Sequence, residues 1–583
     1  MNDKKKDETG SVHTFLHSTL PAIFAIVGLC MWALIVVFLV ALTTFSRVIR
    51  PITPHGTLTE APYVSIGAPS AWAVIACIAL VIMCSLVSQY LSRYNKRTVL
   101  TGLLIWVFIA QIVWIASVCL IFSFYSDTQS LVNAASAIIT DQTRYFGIDA
   151  CPKLRSMRPG VCIPVRLHTY FSEYPFQAGP ALWMTLIFRI FGVRNIVSFQ
   201  IINALMIVGI VWVLWRLTEQ IALSRDEEGR AQRVVMSAFA IFAATCVPLL
   251  TFATFVYPNM AGLFFVLMGI EMLRTSLTQV SCARKFWSAF SACLLIGVGV
   301  AIKSTFIIFA LAIVVAVFVV SLISRGWWNM LSALAAAASA KAMPALSEKL
   351  FGLITTQNFG KGMPLNLWLY LGLKHANLRH DGHPAGWWDL GMAQLYYGAG
   401  KGNHDVAAHA AWLEIGKEIH ALLQPGHAGS FFTRKLASEW ADSTFMTSYY
   451  SQLGISAWGR SAPAQWLIFG AGHDGWFGFQ DIHESLVVIC AALGVICLLT
   501  TVCRKATHHD VSSVSFELIW IVASFVGGFL CYVLWEAKGI YTLPFYIFLL
   551  PCAGVGLYYI QLMAQRVGCW VKERIIQTLS WQS

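Results

Sequence analysis

Three charged side chains, Asp127, Lys303 and Lys538, stand beside long apolar stretches of this 583-residue chain. A carboxylate at the mouth of a membrane cavity can act as a general base toward an incoming hydroxyl group. A lysine at the membrane surface can bind a lipid phosphate as a point charge. Each residue also has an ordinary alternative, because Asp127 can simply end a helix in solvent and the lysines can extend to the interface.

The composition is that of a membrane protein. Hydrophobic residues make up 57% of the chain and charged residues 12%, against about 25% charged residues in an ordinary globular domain. The mean hydropathy is +0.67. These values exclude a soluble globular enzyme, a disordered protein and a nucleic-acid binder with a basic face. The net charge of +12 instead indicates basic cytoplasmic loops.

Apolar stretches near 20 residues predict transmembrane helices, because that length crosses the roughly 30 Å of hydrocarbon in a bilayer. Residues 234–270 and 286–324 are each long enough for two helices, and we expect hairpins that turn near Tyr257 and at Lys303. About twelve helices are predicted in all. The other stretches are 18–46, 61–92, 98–126, 195–215, the Ala-rich 326–340, 485–503, 518–535 and 539–565.

The positive-inside rule predicts the orientation of these helices. The run Lys4–Lys6 places the N-terminus in the cytoplasm, and Arg566, Lys572 and Arg574 place the C-terminus there too. The three charged residues introduced above then lie on the outer side of a plasma membrane. Both termini lie in the cytoplasm only if the number of membrane crossings is even, so residues 178–192 must not cross. They are predicted to form an amphipathic helix on the outer surface.

The predicted fold class is an all-α polytopic membrane protein with an external juxtamembrane loop region and a mainly helical external domain. Within that domain, residues 403–423 predict an amphipathic helix capped by Asn403, with Val406, Ala410, Leu413 and Ile419 at helical spacing. The predicted segments are a cytoplasmic tail at 1–17, three membrane helices in 18–123, an external loop with juxtamembrane helices at 124–195, six membrane helices in 196–341, the external domain at 342–482, three membrane helices in 483–565 and a cytoplasmic tail at 566–583.

Most of the fifteen cysteines lie within predicted spans, where Cys behaves as a small apolar residue. Cys151 and Cys162 fall in an external region, where an oxidising environment favours a disulfide between them. Two free thiols are the alternative. No C-x-x-C pair occurs and the histidine spacing matches no zinc template, so we assign no metal site.

In the order of its motifs the chain resembles the GT-C superfamily of polyprenyl-phosphate-dependent glycosyltransferases. That superfamily includes protein O-mannosyltransferases and aminoarabinose transferases. The similar features run from about residue 124 to 562. They are an outward helix that ends at Asp127, a surface helix entered at Tyr-Pro and ending in Phe-Gly (174–192), an external domain, and a Glu-x-Lys-x-x-Tyr entry to the last helix (536–541).

Two phrases look most like members of this superfamily that act on wall polymers of Gram-positive bacteria. They are YFSEYPFQAG, residues 170–179, and SEWADSTF, residues 438–445. Each phrase alone is loose, and the specificity of the resemblance comes from their order along the chain.

The resemblance implies an inverting transfer of a sugar from a polyprenyl-phosphate donor to a cell-surface acceptor. The acceptor would be a wall polymer, a glycolipid or a protein hydroxyl. Asp127 would be the catalytic base or would orient the acceptor hydroxyl, and Lys303 and Lys538 would bind the leaving lipid phosphate. Substrate contacts are expected from Glu173, Tyr174, Gln177, Tyr257, Asn259, Glu536 and Tyr541.

The chain departs from this pattern in two respects. Many members carry a second acid in the next outer turn, but the turn TFVYPNM at 254–260 contains none. We therefore assign no cofactor. A divalent metal stays an alternative that the sequence does not support, with Tyr257 and Asn259 as weak substitutes for the missing acid. In addition, the two predicted helices at 18–46 and 61–92 precede the region of resemblance.

Three other functions remain open from the sequence. A transporter or flippase of a lipid-linked sugar is expected to show broken helices and internal repeats, and the sequence shows neither clearly. A polymerase or ligase of surface glycans would use diphosphate-linked chains instead. A non-catalytic assembly protein or sensor would tolerate the loss of Asp127.

Overall fold

The computed structural model describes eight parts of the chain, and all structural statements below concern these residues. They are 15–53, 57–118, 126–147, 167–221, 229–324, 326–374, 385–458 and 462–580. The proposed disulfide partners Cys151 and Cys162 lie outside the described residues.

The described residues are overwhelmingly helical, and ten helices among them are long and apolar enough to cross a membrane. The prediction of an all-α polytopic membrane protein is confirmed at this level. The candidate spans are α1 (Leu20–Phe45), α2 (Ala71–Leu91), α3 (Lys96–Val118), α7 (Ile196–Ile221), α10 (Asn259–Thr278), α11 (Cys282–Ile302), α12 (Ile307–Ser324), α13 (Trp328–Thr355), α20 (His473–Ala506) and α21 (Phe516–Leu534).

Two pairs of helices are each bent by 54° at a short break, as in a broken span or a re-entrant loop, and counting each pair as one span brings the total to twelve. They are α8 (Arg230–Thr245) with α9 (Val247–Thr251), and α22 (Gly539–Tyr546) with α23 (Leu549–Ser580). The sequence reading that no helix is clearly broken was wrong here. The first break lies beside Pro248, whose ring removes a backbone donor from the helix.

Short helices connect or flank the spans. Residues 178–192 form α6 (Ala178–Phe191), whose fourteen residues reach only about 21 Å and are too short to span the hydrocarbon. The others are α4 (Ser126–Ile139), α5 (Leu167–Glu173), α14 (Asn366–Leu373), α15 (Gly391–Gln394), α16 (His404–Leu422), α17 (His427–Trp440), α18 (Thr447–Trp458) and α19 (Ala462–Phe469).

A small antiparallel hairpin joins α1 to α2, and the predicted all-helical stretch 61–92 was wrong at its start. Strand β1 (Ser46–Ile49) pairs with β2 (Tyr63–Ile66), with Ser46 opposite Ile66. The helix α2 begins only after Ser70, whose side chain accepts a hydrogen bond from the Ala73 amide and so caps the helix. We call residues 46–53 and 57–66 the N-terminal hairpin.

Three predicted segment boundaries fall inside continuous helices. The boundary at 341 lies within α13, which continues past Pro344 to Thr355. The boundary at 482 lies within α20, which begins at His473. The tail predicted from residue 566 continues α23 as helix up to Ser580.

The amphipathic helix predicted at 403–423 is present as α16, and Asn403 caps it through its side chain, which accepts from the amides of Asp405 and Val406. Its packed face differs from the predicted stripe. Val406, Leu413 and Ile419 are exposed, whereas the buried positions are Ala407, Ala411, Ile415 and Leu422. Small side chains face the protein because α14 packs closely against this helix.

Close helix crossings hold the bundle together where small residues meet. A Cβ atom added to Gly494 of α20 would lie 2.0 Å from the carbonyl oxygen of Cys552 in α23. A Cβ atom on Gly556 would lie 1.8 Å from the carbonyl oxygen of Cys490. Each glycine follows a cysteine by four residues, so both helices carry a small-xxx-small pattern that lets their backbones touch.

Candidate functional site

A cavity that opens to solvent lies where several turns meet at one end of the helix bundle. The N-terminal hairpin, the first turn of α4, the turns that precede α10 and α22, and the turn that follows α11 all contribute to it. Its lining residues are Glu60, Asp127, Thr128, Phe255, Tyr257, Asn259, Lys303, Tyr450, Lys538, Ile540 and Tyr541.

Asp127 stands in the first turn of α4 with its side chain exposed to the cavity. The surrounding protein withholds bulk water from the carboxylate, and this burial raises the pKa of Asp127. The positive charges of Lys538 and Lys303 oppose this rise in the pKa. The nearby hydroxyl of Tyr170 opposes it as well. A carboxylate with a raised pKa is a stronger proton acceptor than an ordinary aspartate.

Lys303 occupies the turn between α11 and α12, where the two helices of the predicted hairpin meet. Its Nζ atom lies 5.3 Å from the ring centroid of Tyr257 and 4.9 Å from that of Tyr541, within cation–π range. Within the described part of the chain it forms no ion pair. Burial lowers the pKa of Lys303 to about 8, although Asp127 and Glu536 favour its charged form.

Lys538 differs from Lys303 because carboxylates flank it. Its Nζ atom lies 3.2 Å from Oε1 of Glu60 and 3.8 Å from Oε1 of Glu536, and it also faces the ring of Trp387. Burial favours the neutral amine, but the surrounding negative charges outweigh it, so the pKa of Lys538 is raised. Its charge is therefore fixed and already balanced.

The turn before α10 presents Tyr257 and Asn259 to the cavity. The Tyr257 hydroxyl donates to Oε1 of Gln177 at 2.9 Å and accepts from its Nε2 at 2.7 Å, which holds Gln177 behind the cavity wall. Asn259 is 3% exposed, and its Oδ1 atom has no hydrogen-bond partner among the described residues. A buried amide oxygen without a partner at a cavity wall is available to a ligand hydroxyl or amine.

Of the ten residues predicted for catalysis or substrate binding, six line this cavity. They are Asp127, Tyr257, Asn259, Lys303, Lys538 and Tyr541. Gln177 and Glu536 lie directly behind it, in contact with Tyr257 and Lys538 respectively.

The other two predicted residues do not line the cavity, although Tyr174 is near enough to interact with the charges of Asp127 and Glu536. Glu173 accepts a hydrogen bond from the Tyr397 hydroxyl, and its backbone carbonyl accepts from the Met363 amide at 2.9 Å. Tyr174 packs among aromatic rings, including that of Trp368 with centroids 6.1 Å apart. Both residues fasten the segment after α13 to α5, and neither reaches the cavity wall.

Sequence reasoning missed five lining residues, of which Glu60 and Tyr450 are the most consequential. Tyr450 lies in the ring- and hydroxyl-rich stretch 438–450, and its ring stacks on Phe255 with centroids 3.9 Å apart. Glu60 could have been singled out from the sequence, because it is the only acidic residue between Glu8 and Asp127. The remaining three are Thr128, Phe255 and Ile540.

The cavity brings two carboxylates and two ammonium groups together. Such a mixed lining suits a substrate with both a phosphate and hydroxyl groups. It does not favour a divalent cation, because two ammonium groups compete for the same carboxylates. Among the described residues, no group of three His, Cys, Asp or Glu side chains is arranged to hold a metal ion.

No protein-family model matches this chain, and neither does any curated protein.

Proposed function

We propose that this protein is a membrane glycosyltransferase of the GT-C type, moving a sugar from a polyprenyl-phosphate donor to a hydroxyl group of a cell-surface acceptor. The observation that carries the proposal is the meeting of Asp127 and Lys303 in one cavity. A carboxylate with a raised pKa and a cation without a carboxylate partner are the two groups that such a transfer requires. The motif order between residues 124 and 562 adds support.

In this reaction the acceptor oxygen attacks the anomeric carbon of the donor sugar from the face opposite the phosphate. The new C–O bond forms as the bond between the sugar and the lipid phosphate breaks, which inverts the anomeric centre. Asp127 accepts the proton of the acceptor hydroxyl, and the phosphate leaves with the bonding electron pair. Proton acceptance by a positioned carboxylate typically contributes 10²–10⁴-fold to such a rate, an order-of-magnitude figure.

The two lysines have different parts in this proposal. The phosphate contact falls to Lys303, because its ammonium lies near the rings of Tyr257 and Tyr541 and forms no ion pair with any described residue. Lys538 is already bound to Glu60 and Glu536, so it acts mainly on the electrostatics of the cavity. Its charge favours the ionised form of Asp127, the form that accepts a proton.

The proposal places the protein in the plasma membrane with both termini in the cytoplasm and the cavity facing outward. Nucleotide sugars are cytoplasmic, so an enzyme that works outside needs a lipid-borne donor. The acceptor would be a wall polymer, a glycolipid or a protein.

A transporter or flippase of the same lipid-linked sugar is the second candidate, and the two broken spans favour it. It would use the cations of the cavity to hold the phosphate but would not need a base. The two candidates therefore differ in their dependence on Asp127.

The test is a gene deletion in the host, complemented with the wild type, Asp127→Asn or the matched control Asp141→Asn. Asp141 is exposed at the end of α4, and its left-handed backbone, with φ of 55°, suits asparagine. Surface glycans are profiled by mass spectrometry at equal membrane levels of each variant.

We expect one sugar to disappear on deletion and to return with the wild type and with Asp141→Asn, but not with Asp127→Asn. If Asp127→Asn restores the sugar fully, the catalytic role of Asp127 is wrong and the transport function gains. If no glycan changes on deletion, both candidates fail.

A further inference from the structure

Glu60 reaches the cavity from the N-terminal hairpin, a segment that precedes every motif used in the proposed function. Its carboxylate lies 3.2 Å from Nζ of Lys538, and its side chain is 25% exposed. The residue belongs to the loop beyond β1 and β2, which continues the hairpin through a bridge between Ile52 and Leu58. A chain segment with no other acidic residue thus delivers one carboxylate to the site.

The residues beside Glu60 are fastened to the protein interior. Arg50 forms an ion pair with Asp442, with 2.5 Å between Nη2 and Oδ2, and both side chains are almost fully buried. The same guanidinium donates to the backbone carbonyls of Thr59 and Glu60. These bonds hold the backbone of Glu60 against the segment that follows α17.

A second fastening lies two residues before Glu60. The side chain of Gln452 accepts from the Leu58 amide at 2.5 Å and donates to the Leu58 carbonyl at 3.1 Å. Gln452 and the cavity residue Tyr450 both belong to α18. The position of Glu60 is thus set by the same element that builds one wall of the cavity.

Lys538 is held from two sides as a result. Glu60 approaches it from the hairpin and Glu536 from the turn before α22, at 3.2 and 3.8 Å. A lysine side chain has several rotatable bonds, and two fixed carboxylates restrict its ammonium to one place. From that place its charge acts on Asp127.

We propose that Glu60 is a positioning residue of the transfer site, through which the N-terminal hairpin fixes the ammonium group of Lys538 beside Asp127. The inference rests on the proposed function. It also gives α1 and α2 a role, because these two helices carry the hairpin.

The test is a double-mutant cycle between Glu60 and Lys538 in the complemented deletion strain, because such a cycle measures whether two residues act through each other. The variants are Glu60→Gln, Lys538→Met and the double variant. The sugar lost on deletion is quantified per amount of membrane protein at limiting expression. Glu414→Gln is the matched control, since Glu414 pairs with the exposed Lys417 outside the cavity.

We expect Glu60→Gln to lower transfer about tenfold, the size expected when one charged hydrogen bond at a site is lost. The double variant should be no worse than Lys538→Met within about twofold, because Glu60 has nothing left to position. Glu414→Gln should match the wild type. Glu60→Asp, which keeps the charge, should recover part of the loss and serves in the cycle if the amide variant does not reach the membrane.

Two results overturn the inference: wild-type transfer by Glu60→Gln, or losses for Glu60→Gln and Lys538→Met that multiply in the double variant. The second would mean that Glu60 acts independently of Lys538, on the substrate or directly on the charge of Asp127. Asp127→Asn is measured alongside. If it abolishes transfer while Glu60→Gln does not lower it, only the role of Glu60 fails; if Asp127→Asn transfers normally, the proposed function itself fails.

Discussion

Lys303 and Lys538 share one cavity but differ in how their charges are balanced. Lys538 has two carboxylate neighbours, whereas Lys303 lies between the rings of Tyr257 and Tyr541. Aromatic rings stabilise a cation without neutralising it. If the protein is the proposed glycosyltransferase, this difference makes Lys303 the lysine whose protonation should control phosphate binding.

The pKa of about 8 for Lys303 predicts a basic limb in the pH dependence of transfer. The ammonium is present below that pH and is lost as the pH rises through it, so kcat/KM should fall above about pH 8. Lys303→Arg keeps its charge throughout this range, and its limb should disappear or move to higher pH. The measurement is kcat/KM against pH, which reports the groups of the free enzyme. Identical limbs in both proteins would rule out Lys303 as the titrating group.

Tyr257 supplies the cavity with a ring and holds Gln177 with its hydroxyl. Tyr257→Phe keeps the ring but leaves the amide of Gln177, 6% exposed, without this partner. We expect the free energy of unfolding to fall by about 1–3 kcal/mol, with transfer changed much less. Tyr257→Leu also removes the ring beside Lys303 and should weaken phosphate binding as well. Thermal unfolding in detergent and transfer assays separate the two effects, and equal transfer losses would contradict this division.

At the scale of elements, the contact between α6 and the last turn of α11 positions Lys303. A Cβ atom on Gly179 would lie 1.9 Å from the carbonyl oxygen of Ala301, two residues before Lys303. Because both groups belong to backbones, neither can turn aside. This close contact explains why the 170–179 motif ends in a glycine.

Gly179→Ala should therefore push the Lys303 turn away from α6. We expect a loss of about 1–3 kcal/mol in stability, typical of overpacking, and at least about tenfold lower transfer. Gly416→Ala in α16 is the matched control, because no atom lies within 4 Å of its added Cβ. It should stabilise the helix by up to about 1 kcal/mol. Normal transfer by Gly179→Ala would show that this contact does not position Lys303.

The spans themselves were predictable, because a stretch of apolar residues long enough to cross a bilayer has few other structures open to it. The turns at Tyr257 and Lys303 followed from the charges that flank each pair of helices. The ends of α13 and α20 did not follow, since both helices continue from the apolar stretch into polar and charged sequence, where composition no longer marks the helix end. The packed face of α16 was mistaken because exposed and buried sides of this helix are both apolar.

The N-terminal hairpin and its part in the cavity could not be derived from local sequence. The contact that fastens it joins Arg50 to Asp442, 392 residues apart in the chain. No periodicity or motif records such a pairing. Glu60 was visible as an isolated acid, but only the fold relates it to Lys538.

At the scale of the whole molecule, the two ends of the helix bundle carry different charge patterns. An ion-pair network links Glu271 to Arg274 at 2.6 Å and to Arg216 at 3.6 Å, and Arg274 to Glu517 at 3.8 Å. The helix α10 begins at the cavity and ends at this network. Fifteen residues separate Asn259 from Arg274, so the two sites lie about 22 Å apart along that helix.

Arg216 and Arg274 follow the apolar stretches 195–215 and 234–270, at ends that the positive-inside rule assigns to the cytoplasm, so the cavity should face outward. An epitope tag inserted between Lys401 and Gly402, both exposed, should be accessible in intact spheroplasts. A tag after Ser583 should be accessible only after permeabilisation. A tag after Met1 should behave like the one after Ser583, and wild-type transfer by each tagged protein controls for misfolding. If only the C-terminal tag is accessible in intact spheroplasts, the orientation is the reverse of the predicted one. The cavity then faces the cytoplasm, and the reaction does not need a lipid-borne donor.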